Sequence, residues 1–112
     1  MKLRNAGALI FSIAFSCAAL AQTGEQLAKA KGCTACHSID GEGVGPSFHN
    51  IAQRFAGLHN ARPMLIRIVT TGTGSGPVPY HWGDVKMPPE AARVPVSEAE
   101  ARELVDYVLS QH

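Results

Sequence analysis

Cys33-Thr34-Ala35-Cys36-His37 constrains this chain more than any other stretch. Two thiols three residues apart on a helical turn can add across the two vinyl groups of a haem, and the adjacent imidazole then reaches the iron from below. Other uses of a Cys-x-x-Cys pair fit less well. A zinc site needs two further ligands at matching spacing, and the only other cysteine, Cys17, lies in a segment read below as a leader. A thioredoxin-like dithiol needs a preceding strand in a βαβ frame, whereas a short helical pattern precedes this pair and no strand run follows. The expected cofactor is one covalent haem c on Cys33 and Cys36, with His37 as an axial iron ligand.

Covalent haem attachment of this kind takes place outside the bacterial cytoplasm, and the N-terminus reads as an export signal. Lys2 and Arg4 precede an almost uninterrupted apolar run, Ala6 to Leu20, and Ala19-Leu20-Ala21 supplies a small-x-small cleavage site. The run is too short to span a bilayer comfortably and has no basic stop, so residues 1–21 are expected to be a removed signal peptide and not an anchor. Acylation at Cys17 is disfavoured by the bulky Phe15 before it. Removing residues 1–21 from 112 leaves a 91-residue domain, 22–112, expected in the periplasm. Loss of Lys2 and Arg4 from ten basic residues leaves eight against nine acidic, a balance that does not suggest nucleic-acid binding.

The mature segment reads as all-α. Thr23-Gly24-Glu25-Gln26 has capping-box spacing and predicts a helix to about Lys31, ended by Gly32, with Ala28 small enough to admit a crossing helix and Tyr107 as its partner there. Gly41, Gly43 and Gly45 make a loop that ends at Pro46. A second helix is expected from Ser47 to Ala56, with Phe48, Ile51, Ala52 and Phe55 on one face, and Gly57 stops it. Asn60 is placed to cap a third helix, which tolerates Pro63 in its first turn, buries Met64, Leu65, Ile68 and Val69, and ends at Gly72. From Gly72 to Pro95 five prolines and four glycines predict a long structured loop. Ser97-Glu98-Ala99-Glu100 reads as a second capping box, ahead of a helix with Leu104, Val105, Val108 and Leu109 at helical spacing.

The second axial ligand has to come from far along the chain. Met87 is the first candidate, because Pro88 and Pro89 stiffen the loop that carries it and limit the conformational freedom lost on ligation. His81, in the same loop, is its main rival, and an open sixth site is the remaining option. Met64 suits its helix's apolar stripe, His112 ends the chain, and His49 and His59 read as solvated helix residues. A thioether opposite imidazole raises the potential and closes the iron to oxygen or peroxide, leaving only electron exchange. Asp84 and Glu90 near Met87 read as solvated surface, and no acid–base or nucleophilic constellation accompanies them.

Cys33 to His37, Val44-Gly45-Pro46, Trp82-Gly83 five residues before Met87-Pro88-Pro89, and the closing amphipathic helix together resemble a small bacterial class I cytochrome c of the cytochrome c-551 type. The resemblance spans essentially all of the mature chain. It implies about four short helices wrapped around the haem, the first and last crossing, a Pro46 carbonyl that accepts a hydrogen bond from the His37 ring, and Trp82 and Arg67 near the haem propionates. The segment Thr73 to Tyr80 is longer than is usual in that group, an elaborated docking loop or a tolerated insertion.

The function expected is that of a periplasmic monohaem electron carrier, not an enzyme. It would be a monomer that passes electrons between periplasmic redox proteins by transient docking, with Lys29, Lys31 and Lys86 as a possible basic rim. A dedicated haem subunit of one periplasmic dehydrogenase is the alternative within the same chemistry. A haem enzyme or gas sensor with an open sixth site is the alternative outside it.

Overall fold

Four helices are cut from the chain by their caps. The computed structural model describes residues 22–73, 85–89 and 92–112, with residues 2, 3, 7, 11–14 and 16 nearer the N-terminus. Cys17, His81, Trp82, Asp84 and Glu90, and the expected extra loop length beyond Thr73, lie outside the described residues. No strand occurs among the described residues, and no helix among them is long and apolar enough to cross a membrane.

Helix α1 (Gly24–Ala30) opens with the full capping box. Thr23 Oγ1 accepts the Gln26 N–H at 3.2 Å, and Gln26 Oε1 accepts the Thr23 N–H at 3.0 Å. Gly32, at φ +76°, turns the chain out of the helix in a conformation that a Cβ would oppose. Helix α2 (Phe48–Phe55) is capped by Ser47, whose Oγ accepts the Asn50 N–H at 3.1 Å. Helix α3 (Ala61–Thr71) begins without the expected side-chain cap. Asn60 holds φ −94°, ψ 4° instead of extended backbone, so its side chain does not cap the first turn, and Pro63 leaves that turn one N–H fewer to satisfy.

Helix α4 (Glu98–Leu109) is capped by Ser97, whose Oγ accepts the Glu100 N–H at 3.1 Å, while the Glu100 carboxylate reaches back to Ser97. It accepts the Ser97 hydroxyl at 3.1 Å and pairs with Lys31 Nζ at 2.5 Å. The hydrogen bond from Lys31 holds the Glu100 carboxyl below its ordinary range, with Ser97 adding to the effect and desolvation opposing it. The same lysine donates to the Pro95 carbonyl at 3.1 Å, so one ammonium ties the end of α1 to the start of α4.

α4 is the element on which the other three helices rest. Its Ala101, Leu104 and Val105 are buried against Leu27 and Ala28 of α1, Phe48 and Phe55 of α2, and Ala61 and Leu65 of α3. At the α1–α4 crossing Tyr107 packs against the cluster that holds Ala28, and it also meets Gly24 one turn earlier. A Cβ on Gly24 would lie 2.4 Å from Tyr107 Cβ and 2.7 Å from its Cγ, so the tyrosine sits where a side chain would be. Across the molecule, Arg62 Nε and Nη2 donate to Asp106 Oδ1 and Oδ2 at 2.8 and 3.1 Å, a two-point link between α3 and α4. His49, read from sequence as solvated, is half-buried and its Nδ1 bonds the Gln111 carbonyl at 3.0 Å, tying α2 to the C-terminus.

Two outcomes follow. Gly24→Ala should lose about 1–3 kcal/mol in chemical denaturation through overpacking, despite alanine's better helix propensity, and Gly24→Ala/Tyr107→Ala should cost less than the two single changes added. The Arg62 hydrogen bond holds the Asp106 carboxyl below the usual aspartate range. The pair therefore stabilises fully above the ordinary aspartate value, about 3.9, and its contribution is lost as pH falls through the lower folded value. Asp106→Asn should lower the melting temperature slightly at pH 7 and flatten the acid limb of a melting-temperature–pH curve. An unchanged acid limb would show that the pair contributes nothing.

Candidate haem site

The Cys33–His37 segment leaves α1 as a 3-10 turn over Cys33–Ala35. The Cys36 and His37 amides both donate to the Cys33 carbonyl, at 3.2 and 2.9 Å, which sets the two cysteines one turn apart and aims His37 along the same wall. Both thiols are half-buried and neither is in a disulfide. Burial pushes the Cys33 thiol up, while the nearby charge of Arg93 partly offsets it.

His37 is held from three sides. Its Nδ1 is 2.7 Å from the Pro46 carbonyl oxygen. An amide carbonyl can only accept, so Nδ1 carries a proton, and the lone pair of the corresponding neutral tautomer falls on Nε2. The Phe48 ring stacks on the imidazole with centroids 5.7 Å apart and planes 20° apart. Gly45 lies against the ring: a Cβ there would come within 2.6 Å of His37 Cε1 and 2.9 Å of Nδ1. The loop that delivers Gly45 and Pro46 is laced to the cysteine turn by backbone bonds, Gly45 N–H to Cys36 O at 2.8 Å, Phe48 N–H to Ser38 O at 2.8 Å and His49 N–H to Ile39 O at 3.0 Å.

Facing this wall is the Met87 segment. Thr73, just past the end of α3, grips Met87 twice: its amide donates to the Met87 carbonyl at 3.1 Å, and its Oγ1 accepts the Met87 N–H at 2.9 Å. Gly72 allows the close approach, since a Cβ on it would lie 2.6 Å from Met87 O and 2.7 Å from Pro88 O, and its φ of +76° is itself a glycine conformation. Between the walls is a cavity of about 440 Å³. Cys33, Cys36, His37, Pro46 and Met87 all line it, with Phe48, Phe55, Leu65, Leu104 and Val105 among its apolar walls. That volume lies within the roughly 300–1,000 Å³ typical of cofactor clefts. Its chemistry suits haem: an apolar slot, two thiols on one side, and an imidazole and a thioether as iron donors.

Arg67, expected near the propionates, is exposed on α3 and does not line this cavity. The basic residues that do are Arg54 of α2 and Lys86. Of the three lysines expected at a basic rim, Lys86 lines the cavity, Lys29 is exposed and pairs with Glu25 at 3.3 Å, and Lys31 is engaged by Glu100 and Pro95. Gly45, Gly72 and Thr73 escaped the sequence reading as site residues. Val44-Gly45-Pro46 marks the loop and Pro46 its acceptor, but not the contact that Gly45 makes with the ring, and nothing local marks Thr73 as the anchor of a methionine 14 residues away.

An all-helical domain folded around an apolar slot that bears a Cys-x-x-Cys-His turn defines a class, the small proteins built around one covalent haem. Comparison with known proteins makes the family explicit. The family model for cytochrome c matches residues 21–112. Cytochrome c-551 of Azotobacter vinelandii is 45% identical over 89 residues, covering 80% of this chain and 98% of that protein. Cytochrome c-552 of Hydrogenobacter thermophilus is 42% identical over 86 residues, covering 77% of this chain and 79% of the relative. The crystal structure of wild-type Nitrosomonas europaea cytochrome c552 superimposes with a TM-score of 0.66 at 34% identity, covering 79% of this chain and 99% of that one. The chain belongs to the cytochrome c family, an electron-transport family whose cofactor is one covalent haem c.

Gly45→Ala should force the imidazole or the Cys36–Gly45 loop to move, costing about 1–3 kcal/mol in denaturant unfolding. Loss of the downfield NMR signal of the His37 Nδ1 proton should accompany it. An unshifted ring signal would mean that the loop, not the histidine, yields.

Proposed function

We propose that residues 22–112, freed of a signal peptide at 1–21, form a periplasmic one-electron carrier. Cys33 and Cys36 would hold the haem as thioethers, and His37 and Met87 would take the two axial positions of the iron. The observation that carries this reading is that an oriented imidazole and a tethered methionine both line one cavity. The group supplies a one-electron couple, and the rest falls to the chain.

Pro46 fixes the His37 tautomer and makes the ring a better donor, because a carbonyl accepting from Nδ1–H pushes electron density toward Nε2. Met87, a neutral soft donor, favours ferrous over ferric iron and bars small ligands from the sixth position. The apolar walls exclude water and lower the local dielectric, which also favours the less charged oxidation state. Propionate charge would be answered at the cavity wall by Arg54 and Lys86 in preference to the outward-facing Arg67, with Trp82 retained as an expected indole donor. Val44 and Val85, both exposed and both at the cavity wall, offer an uncharged margin suited to brief docking with redox partners.

Replacing Met87 by alanine tests the ligand set. The wild-type ferric protein should show the sulfur-to-iron charge-transfer band, and its ferrous form should not bind carbon monoxide in the native state. Met87→Ala should lose the band, bind carbon monoxide, and titrate at a lower reduction potential. Carbon monoxide binding by native wild-type protein would instead support an enzyme or sensor with an open sixth site.

A further inference from the structure

The four residues after Lys86 contain two prolines, so the backbone from Met87 to Pro89 has one N–H and three carbonyls to satisfy. Each has a partner. Thr73 takes the Met87 N–H and supplies a donor to the Met87 carbonyl. The Ala92 amide donates to the Pro89 carbonyl at 3.0 Å, turning the chain back on itself. The Pro88 carbonyl is met by a side chain: Arg93 Nε donates to it at 2.9 Å.

Arg93 does more than complete that set. Its Nη2 donates to the Val69 carbonyl, which belongs to the last turn of α3 and is among the four carbonyls a helix leaves without an internal partner. A cation there is also favoured by the helix dipole. The planar guanidinium thus spans two carbonyls on two segments, the end of α3 and the Met87-Pro88 loop, in the fork geometry that an ammonium cannot reproduce. Arg93 is half-buried, and its bond to the Val69 carbonyl is the more sheltered of the two, which strengthens it relative to a solvated pair. Because Pro88 and Pro89 restrict rotation, holding the Pro88 carbonyl also holds the Met87 backbone one residue away.

We propose that Arg93 is a positioning residue for Met87: by clamping the Pro88 carbonyl to the Val69 carbonyl, it sets how readily the Met87 thioether leaves the iron. This rests on the reading of Met87 as the axial ligand. Arg93 is not among the residues that line the cavity, and its two hydrogen bonds go to backbone carbonyls, so it acts through the backbone. Its removal leaves the buried faces of the helices untouched, so the loss should be local opening of one loop and not of the domain.

The test is made on the ferric holoprotein with cyanide as a competing sixth ligand, comparing wild type, Arg93→Met, which keeps the apolar stem, and Arg93→Lys. Cyanide binding should be about tenfold faster in Arg93→Met, with Arg93→Lys between the two, and the denaturation midpoint should change little. Exchange of the Met87 amide proton should accelerate in parallel. Equal cyanide rates in wild type and Arg93→Met would overturn the proposal, and so would a rate increase matched by an equal fold-loss in global stability. If Arg93→Met does not accumulate, the Arg93→Lys comparison decides: wild-type cyanide and amide-exchange rates in it would overturn the two-carbonyl fork. The sulfur-to-iron band of the wild-type protein separates the two readings. Its absence removes Met87 as ligand, whereas its presence with unchanged cyanide rates removes only the role of Arg93.

Discussion

A carbonyl oxygen has nothing to donate, and that fact, applied at Pro46, governs the site. With Pro46 O 2.7 Å from His37 Nδ1, the N–H that the carbonyl needs is on Nδ1, which leaves Nε2 as the nitrogen able to donate a lone pair in a ring that lines the cavity. The geometry that secures this bond extends well beyond the two residues. Gly45 must lack a side chain for the ring to lie where it does. Phe48 stacks on the ring, Tyr107 meets Phe48 edge-on with centroids 5.7 Å apart and planes 76° apart, and Tyr107 in turn fills the space against Gly24. An unbroken line of contacts thus connects the imidazole to the crossing of the first and last helices, so a fault at the crossing is expected to be felt at the ring.

The helices serve two partners at once. Leu104 and Val105 of α4, Phe48 and Phe55 of α2, and Leu65 of α3 are buried among one another and also wall the cavity. A chain of this size buries only about 60% of its unfolded surface by itself, which makes its own core marginal. Apolar residues arranged around a slot instead of a filled centre gain their full burial only with a rigid apolar plate between them. The covalent links at one edge suit this arrangement, because a tethered group does not dissociate when the walls fluctuate.

What the sequence disclosed was what lies within a turn or two of itself. Thr23 and Gln26, and Ser97, are caps whose partners are three residues away. The first two helices lie within a residue of their expected bounds, with Ser47 as the cap of the second and not its first residue. The cysteine turn is likewise local. Asn60 misled, because capping depends on the backbone angles of the cap residue as well as on its side chain. Gly24 and Arg93 were opaque for a different reason: Tyr107 is far from Gly24 in sequence, and the Val69 carbonyl that Arg93 meets is 24 residues before it. A glycine in a loop or an arginine after two prolines reads as turn and solubility until the fold supplies its partner. Lys31 shows the converse, a residue whose charge suggested a docking rim but whose ammonium is engaged inside the domain.

The two walls of the cavity are held by different physics, and this asymmetry bears on function. The histidine wall is packed: aromatic stacking, a glycine contact and several backbone bonds between segments close in sequence hold it, so it can open only with much of α2. The methionine wall is exposed at Pro88 and Pro89 and hangs from α3 by the Thr73 pair and the Arg93 fork. Segments with few buried apolar contacts and a handful of polar ties lie at the low end of local stability. On the proposed reading of Met87 as an axial donor, the weaker wall is the one that carries the donor expected to leave first. The placement of a guanidinium, and not another apolar side chain, behind that donor fits a loop that has carbonyls to satisfy but little surface to bury.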